Sequence, residues 1–94
     1  MMTFSYDELK FIEEYAGLFL TFEEIAILIE KDFSKFSAAV KSKSNPAYKA
    51  YMKGKIKTKL DIRKKIVKMA MHDSPQAEML VNQYISDQEV AETD

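Results

Sequence analysis

The stretch over residues 45–71 constrains this chain most, because its pattern is that of one long, strongly basic helix. Asn45 can accept hydrogen bonds from the free amides at a helix start, and Pro46 lacks only a donor that would be unpaired at the first helical position. Eleven of the 14 lysines and arginines fall within residues 41–68, against one acidic residue, Asp61. That segment therefore carries a formal charge of +10.

Apolar residues recur along this helix at close to a 3.6-residue period, so we expect one side to pack while the other presents lysines. The apolar positions are Tyr48, Tyr51, Met52, Ile56, Leu60, Ile66, Val67 and Ala70. Gly54 interrupts the pattern and costs about 1 kcal/mol relative to alanine. It predicts either a kink or a close approach by another helix.

Two capping boxes predict two short helices before the basic one. Ser5 with Glu8, and Thr21 with Glu24, have the spacing at which the side chain and backbone of each pair can bond reciprocally. Gly17 predicts a left-handed end to the first helix, near residue 16. The second helix is expected to end near residue 30.

Two further helices complete an all-α prediction of about five helices. Ser34 is the predicted cap of a third helix, in which Phe36 and Val40 lie four residues apart on one face. Ser74 followed by Pro75 predicts the start of a C-terminal helix over about residues 75–86. We expect residues 1–86 to form a single helical domain and residues 87–94 to form a flexible acidic tail.

Composition argues against several functional classes. With no cysteine and one histidine, the chain offers neither a disulfide framework nor a convincing metal site. No apolar run approaches the roughly 18 residues that a membrane span needs, so we expect a soluble, cytoplasmic protein without a membrane partner. No phosphate-binding glycine loop or nucleophile with its base can be assembled. We therefore expect no catalytic residue, no cofactor and no enzyme.

Residues 22–41 fit a helix-turn-helix. Ala26 is small where two helices would cross, while Phe36 and Val40 occupy the expected buried positions of the second helix. The turn is atypical, because Glu30 and Lys31 replace the usual glycine and aliphatic residue. The alternative is an ordinary pair of helices in a small bundle.

The predicted DNA-binding residues lie on the second of these helices and on the basic helix. They are Lys35, Ser37, Ala38, Lys41, Lys43, Lys49, Lys53 and Lys57. Lysines along phosphates give salt-dependent, sequence-tolerant affinity. Few arginine, asparagine or glutamine side chains are available for bidentate base contacts, so strong sequence discrimination is not expected.

The same charges support a second hypothesis. Residues 1–40 carry a net −5 and residues 69–94 carry −6, so the basic segment could pair with acidic groups of its own chain or of a neighbouring subunit. The protein would then be a structural or protein-interaction module that self-assembles through its basic helix and acidic surfaces. The charge pattern does not choose between these two readings.

The order of motifs resembles the small subunit of bacteriophage terminases, over about residues 20–84. The resemblance is carried by Glu24-Ile25-Ala26, Asn45-Pro46-Ala47-Tyr48 with Tyr51, Gly54-Lys55, Leu60-Asp61-Ile62-Arg63, and Ala70 followed by Asp73-Ser74-Pro75-Gln76-Ala77. It implies a protein of phage or prophage origin that binds viral DNA near a packaging site, forms a ring or other homo-oligomer, and delivers DNA to an ATP-hydrolysing large terminase subunit. It also implies that Lys35, Ser37, Ala38 and Lys41 lie on the DNA-facing helix.

Overall fold

A computed structural model describes residues 2–93, and that part of the chain forms five α-helices and no strand. The helices are α1 (Tyr6–Gly17), α2 (Phe22–Leu28), α3 (Phe33–Lys41), α4 (Pro46–Met71) and α5 (Pro75–Glu92). The predicted all-α class is confirmed. The chain divides into two compact units, where the sequence had suggested one domain. The first unit ends at Lys59 and the second begins at Leu60.

Both predicted capping boxes are present. The Ser5 hydroxyl accepts from the Glu8 amide at 3.1 Å, and the Ser5 amide donates to the Glu8 carboxylate at 2.8 Å. Thr21 and Glu24 form the same pair of bonds at 3.2 and 2.9 Å. These bonds satisfy amides that have no partner within the helix, and so they define where α1 and α2 begin.

Two predicted helix boundaries were wrong. The cap of α3 is Asp32, whose carboxylate accepts from the Lys35 amide at 3.0 Å, and Ser34 lies inside the helix. A carboxylate at this end also interacts favourably with the helix dipole. α5 continues to Glu92, so residues 87–92 are helical instead of forming a loose tail; residue 94 lies outside the described residues. A bond from Gln83 to Asp87 at 2.8 Å supports the extension, because residues four apart are neighbours on a helix.

The first unit is built around an apolar core. Phe36 is fully buried, and the rings of Phe4 and Phe22 meet it edge-on at centroid distances of 6.1 and 6.4 Å. The other buried members of the cluster are Ile12, Ile25, Ala26, Val40 and Ala47. The prediction that Phe36 and Val40 pack inward is confirmed. Each large side chain of this kind contributes about 1.5–3 kcal/mol by leaving water.

Both glycines serve a close crossing of α1 and α4. A Cβ on Gly54 would overlap the backbone oxygen of Glu13, and a Cβ on Gly17 would lie 2.7 Å from the Thr58 hydroxyl. Of the two roles predicted for Gly54, close approach is therefore the one observed. The predicted left-handed role of Gly17 was wrong, because the left-handed residue after α1 is Phe19, with φ of 63°.

The second unit buries very little. Ala77 is its one buried residue among residues 60–93, while Arg63 lies over the Tyr84 ring at 4.0 Å. Ser74 caps α5 and Pro75 opens it, as predicted. The predicted packing of the α4 stripe was wrong at Ile56, Leu60 and Val67, which are exposed. On α5, Leu80 and Ile85 are exposed as well.

Candidate nucleic-acid interface

Helix α3 turns one face inward and one outward. Phe36, Ala39 and Val40 are buried against the first unit's core. The outward positions are exposed: Ser34, Lys35, Ala38 and Lys41, while Ser37 and Ser42 are half-buried. Lys35, Ala38 and Lys41 are three residues apart, which places them along one side of the helix. The structure thus brings three of the predicted DNA-binding residues together on an accessible surface.

The turn between α2 and α3 has a left-handed residue, although its sequence lacks the usual glycine. Glu30 has a φ of 57°, in the left-handed region that favours glycine. The Lys31 amide donates to the Ala26 carbonyl at 2.9 Å, and the Lys31 ammonium pairs with Glu8 at 3.1 Å. The missing glycine is therefore a departure in sequence and not in backbone conformation.

An aromatic pair links α2 to α4, and a lysine of α3 lies beside it. The Lys41 ammonium lies 5.9 Å from the Phe22 ring centroid, and Phe22 meets Tyr51 at 5.0 Å. The Lys55 ammonium lies 5.4 Å from the centroid of the Tyr51 ring. Burial raises the pKa of the Tyr51 phenol, which keeps it neutral. Lys55 was missed by sequence reasoning, although its position four residues after Tyr51 was a signal that the two side chains could meet.

Two of the predicted site residues form ion pairs with the same glutamate. The Lys57 ammonium donates to the carboxylate of Glu13 on α1 at 2.9 Å, and the Lys53 ammonium lies 3.8 Å from the same carboxylate. The hydrogen bond from Lys57 lowers the pKa of the Glu13 carboxyl, and the charges of both lysines add to the effect. The positive charge at Lys53 and Lys57 is therefore partly compensated.

The other basic residues of the 41–68 segment make no ion pair with any residue in 2–93. They are Lys41, Lys43, Lys49, Lys55, Lys59, Arg63, Lys64, Lys65 and Lys68. Of the two hypotheses that the charge pattern left open, pairing within the chain thus accounts for two of eleven basic side chains. Most of the segment's positive charge has no acidic partner in the described part of the chain.

A buried asparagine fixes the point where α3 passes into α4. The Asn45 side-chain oxygen accepts from the Ala47 amide at 3.0 Å, which confirms its predicted capping role. Its amide nitrogen donates to the Met2 carbonyl at 3.0 Å. Both polar ends of this buried side chain are satisfied, and Lys43 and Lys49 lie exposed on either side of it in sequence.

An open groove lies beside the outward face of α3. Its volume is about 780 Å³, and Lys31, Lys35, Ala38 and Asn45 contribute to its walls. Within residues 2–93 no cluster of acidic and histidine side chains could hold a metal ion, and no helix combines the length and apolarity needed to cross a bilayer. Ammonium groups, a serine hydroxyl and a methyl group suit contact with phosphate and sugar better than base discrimination.

No known protein family, curated protein or solved structure matches this chain. The candidate site is the surface formed by α3 and the first turns of α4. That surface is basic and accessible, and it stands on a well-packed core.

Proposed function

We propose that this protein is a non-catalytic DNA-binding module in which α3 and the start of α4 contact the phosphates of duplex DNA. The observation that carries this proposal is the orientation of α3. Lys35, Ala38 and Lys41 face outward without an ion-pair partner among residues 2–93, while Phe36 and Val40 anchor the helix from behind. A short helix held in this way keeps its charges in position without losing packing when DNA binds.

The electrostatics support contact with a polyanion. Each phosphate neutralised by a lysine releases condensed counterions, which gives affinity that falls steeply with salt. Lys41 lies beside the Phe22 ring and Lys55 beside the Tyr51 ring, so positive charge continues from α3 onto α4. Binding of this sequence-tolerant kind has dissociation constants of about 10⁻⁴ to 10⁻⁶ M.

The resemblance to phage terminase small subunits supports a more specific role. On that proposal the DNA is viral or prophage DNA, and a large terminase subunit receives it from a homo-oligomer of this chain. The left-handed backbone at Glu30 supports a helix-turn-helix arrangement, since the glycine usual at this position also permits it.

The decisive experiment is fluorescence anisotropy of a labelled duplex against the full chain at several salt concentrations. We expect micromolar binding at low salt, with an affinity loss on raising salt from about 50 to 200 mM that follows the number of phosphates contacted. Lys35→Glu and Lys41→Glu should each weaken binding and reduce the salt slope by about one. Lys10→Glu, the same charge change on exposed α1, should have a much smaller effect.

A comparison within the predicted residue set sharpens the test. Lys53→Gln should weaken binding less than Lys41→Gln, because Lys53 shares its charge with Glu13. Absence of any complex at tens of micromolar protein in low salt would overturn the proposal. Equal losses from Lys10→Glu and Lys41→Glu would show that only the total charge matters, and would overturn the assignment to α3.

A further inference from the structure

The second unit leaves an unusually large share of its apolar side chains in water. Nine large apolar residues between residues 60 and 93 are exposed, and Ala77 is the one buried residue of that stretch. The nine are Leu60, Ile62, Val67, Met69, Met71, Met79, Leu80, Ile85 and Val90. Exposed apolar surface of this density marks an interaction site, because soluble chains rarely leave it uncovered.

Part of this surface is a groove along α4. Leu60, Val67 and Met71 line an open groove of about 680 Å³, and their exposed fractions are 51, 39 and 79%. Their separations of seven and four residues place them on one side of the helix, as in the seam of a helical bundle. Arg63, Lys64 and Lys68 border the same groove, and the Arg63 guanidinium also lies over the Tyr84 ring of the chain's own α5. A helix that fits here needs an apolar stripe flanked by acidic groups.

The second helix of the same unit has that chemistry. α5 has no basic residue, and its acidic residues are Glu78, Asp87, Glu89 and Glu92. Met79 and Val90 are exposed by 73 and 65%, and their separation of eleven residues, about three turns, places them on one side of α5. Within its own chain, α5 uses a different side, where Ala77 is buried and Tyr84 meets Arg63.

We propose that residues 60–93 form a self-association surface in which the α4 groove of each copy receives α5 of a second copy. The basic border of the groove meets the acidic flank of the partner's α5, and the reciprocal contact forms at the same time. A two-fold pair of this kind is closed, because each copy supplies both halves of the interface. The proposal does not depend on DNA binding. It differs from assembly through charge alone, since the apolar groove provides the attraction and the charges select the partner helix.

The test is the mass of the full chain in solution, measured by sedimentation velocity over a range of concentrations and at two ionic strengths. We expect a dimer of twice 10.9 kDa that persists at high salt, because apolar burial is not screened. Val67→Glu should raise the dissociation constant about 100-fold or more, since a carboxylate would lose its water among the apolar side chains of the interface. Ile27→Glu, at an exposed apolar position of the first unit, should leave the dimer intact.

A charge exchange tests which helices meet. The variant Lys64→Glu with Lys68→Glu places acids opposite acids, and the variant Glu78→Lys with Glu89→Lys places bases opposite bases. Each should self-associate more weakly than the natural chain, while an equal mixture should form a heterodimer in which both contacts are restored. Circular dichroism checks that each variant keeps its helices.

Three outcomes would overturn the proposal: a monomer of the natural chain at all concentrations, an oligomer unaffected by Val67→Glu, or a mixture of charge variants that does not associate. Val67→Glu also separates the two proposals, because a monomer that still binds DNA through α3 retains the proposed function. Loss of DNA binding by Lys41→Glu in an intact dimer would leave the self-association surface standing.

Discussion

The two units of this protein are both helical, yet only the first buries large apolar side chains in a core. The first unit buries Ile12, Ile25, Phe36 and Val40 completely or nearly so, whereas the second buries Ala77 and leaves Val67 and its neighbours exposed. Both regions had apolar residues at helical spacing. The difference teaches that such spacing identifies a face that prefers to be covered, but does not say whether the cover comes from the same chain.

The units also differ in how they balance charge. In the first unit, Glu8 forms an ion pair with Lys31, and Glu13 forms ion pairs with Lys53 and Lys57. In the second, no ion pair is present among residues 60–93, although one helix is mainly basic and the other is acidic. Opposite charges left apart within the second unit are what allow it to complement another copy of itself.

The largest expected difference is in the response to side-chain truncation. Phe36→Ala should lower the free energy of unfolding by about 3–5 kcal/mol, because it leaves a cavity in the core of the first unit. Val67→Ala should cost less than about 1 kcal/mol in dilute, monomeric protein, since that side chain is already partly in water. Urea unfolding measures both. Similar losses from the two variants would contradict the contrast between the units.

At the close crossing of α1 and α4, replacing glycine by alanine should destabilise the protein, which is the reverse of the usual effect in a helix. Alanine normally stabilises a helix interior by about 1 kcal/mol relative to glycine. Gly54→Ala should instead destabilise by about 1–3 kcal/mol, because the added methyl group would overlap the Glu13 backbone. Gly17→Ala should cost less, since the nearest atom belongs to the Thr58 side chain, which can rotate. Thermal unfolding decides, and a higher melting temperature for Gly54→Ala would refute the close crossing.

Left-handed residues offer a smaller comparison between the units. Glu30→Gly should stabilise the protein by about 0.5–1 kcal/mol by relieving backbone strain in the turn before α3. Asp73→Gly, at φ of 65° in the second unit, should gain less, because aspartate tolerates this conformation better than glutamate. Chemical unfolding of both variants measures the order. A clear loss of stability in Glu30→Gly would show that the turn relies on its side chain.

The smallest expected effect is the pH dependence contributed by Glu13. Its pKa is lowered from 4.5 in the folded chain, so its ion pairs stabilise the fold above that value and lose their effect as pH falls through the lower folded value. Because Lys53 and Lys57 are largely exposed, the contribution is below about 1 kcal/mol. Stability should therefore fall less in Glu13→Gln than in the natural chain between neutral and acidic pH. Identical pH profiles would argue against a contribution from these pairs.

Much of the local structure could be read from the sequence, because its determinants lie within a few residues. The capping boxes at Ser5 and Thr21, and the start of α4 at Asn45 and Pro46, depend on bonds spanning two or three residues. The cap of α3 was assigned wrongly because Asp32 and Ser34 both have side chains suited to capping, and the sequence ranks them weakly. The exposure of Lys35 and Lys41 was also predictable, because their spacing from the buried Phe36 and Val40 places them on another side of the same helix.

The rest depended on contacts between residues far apart in the chain. Lys55 is related to Lys41 through the contacts of Phe22 with Tyr51. Sequence spacing does not predict contacts between residues of α2, α3 and α4. The role of Gly17 was missed because its partner, Thr58, lies 41 positions away.

By itself, the sequence determined that this protein is helical, where most helices begin, and that its positive charge is concentrated in one segment. These properties follow from hydrogen bonds and side-chain spacing within one or two helical turns. The tertiary structure alone decided which apolar faces are covered, which lysines are paired, and which lysines of α3 have no ion-pair partner among residues 2–93. Burial and ion pairing depend on distances between separate helices, and those distances exist only once the chain has packed.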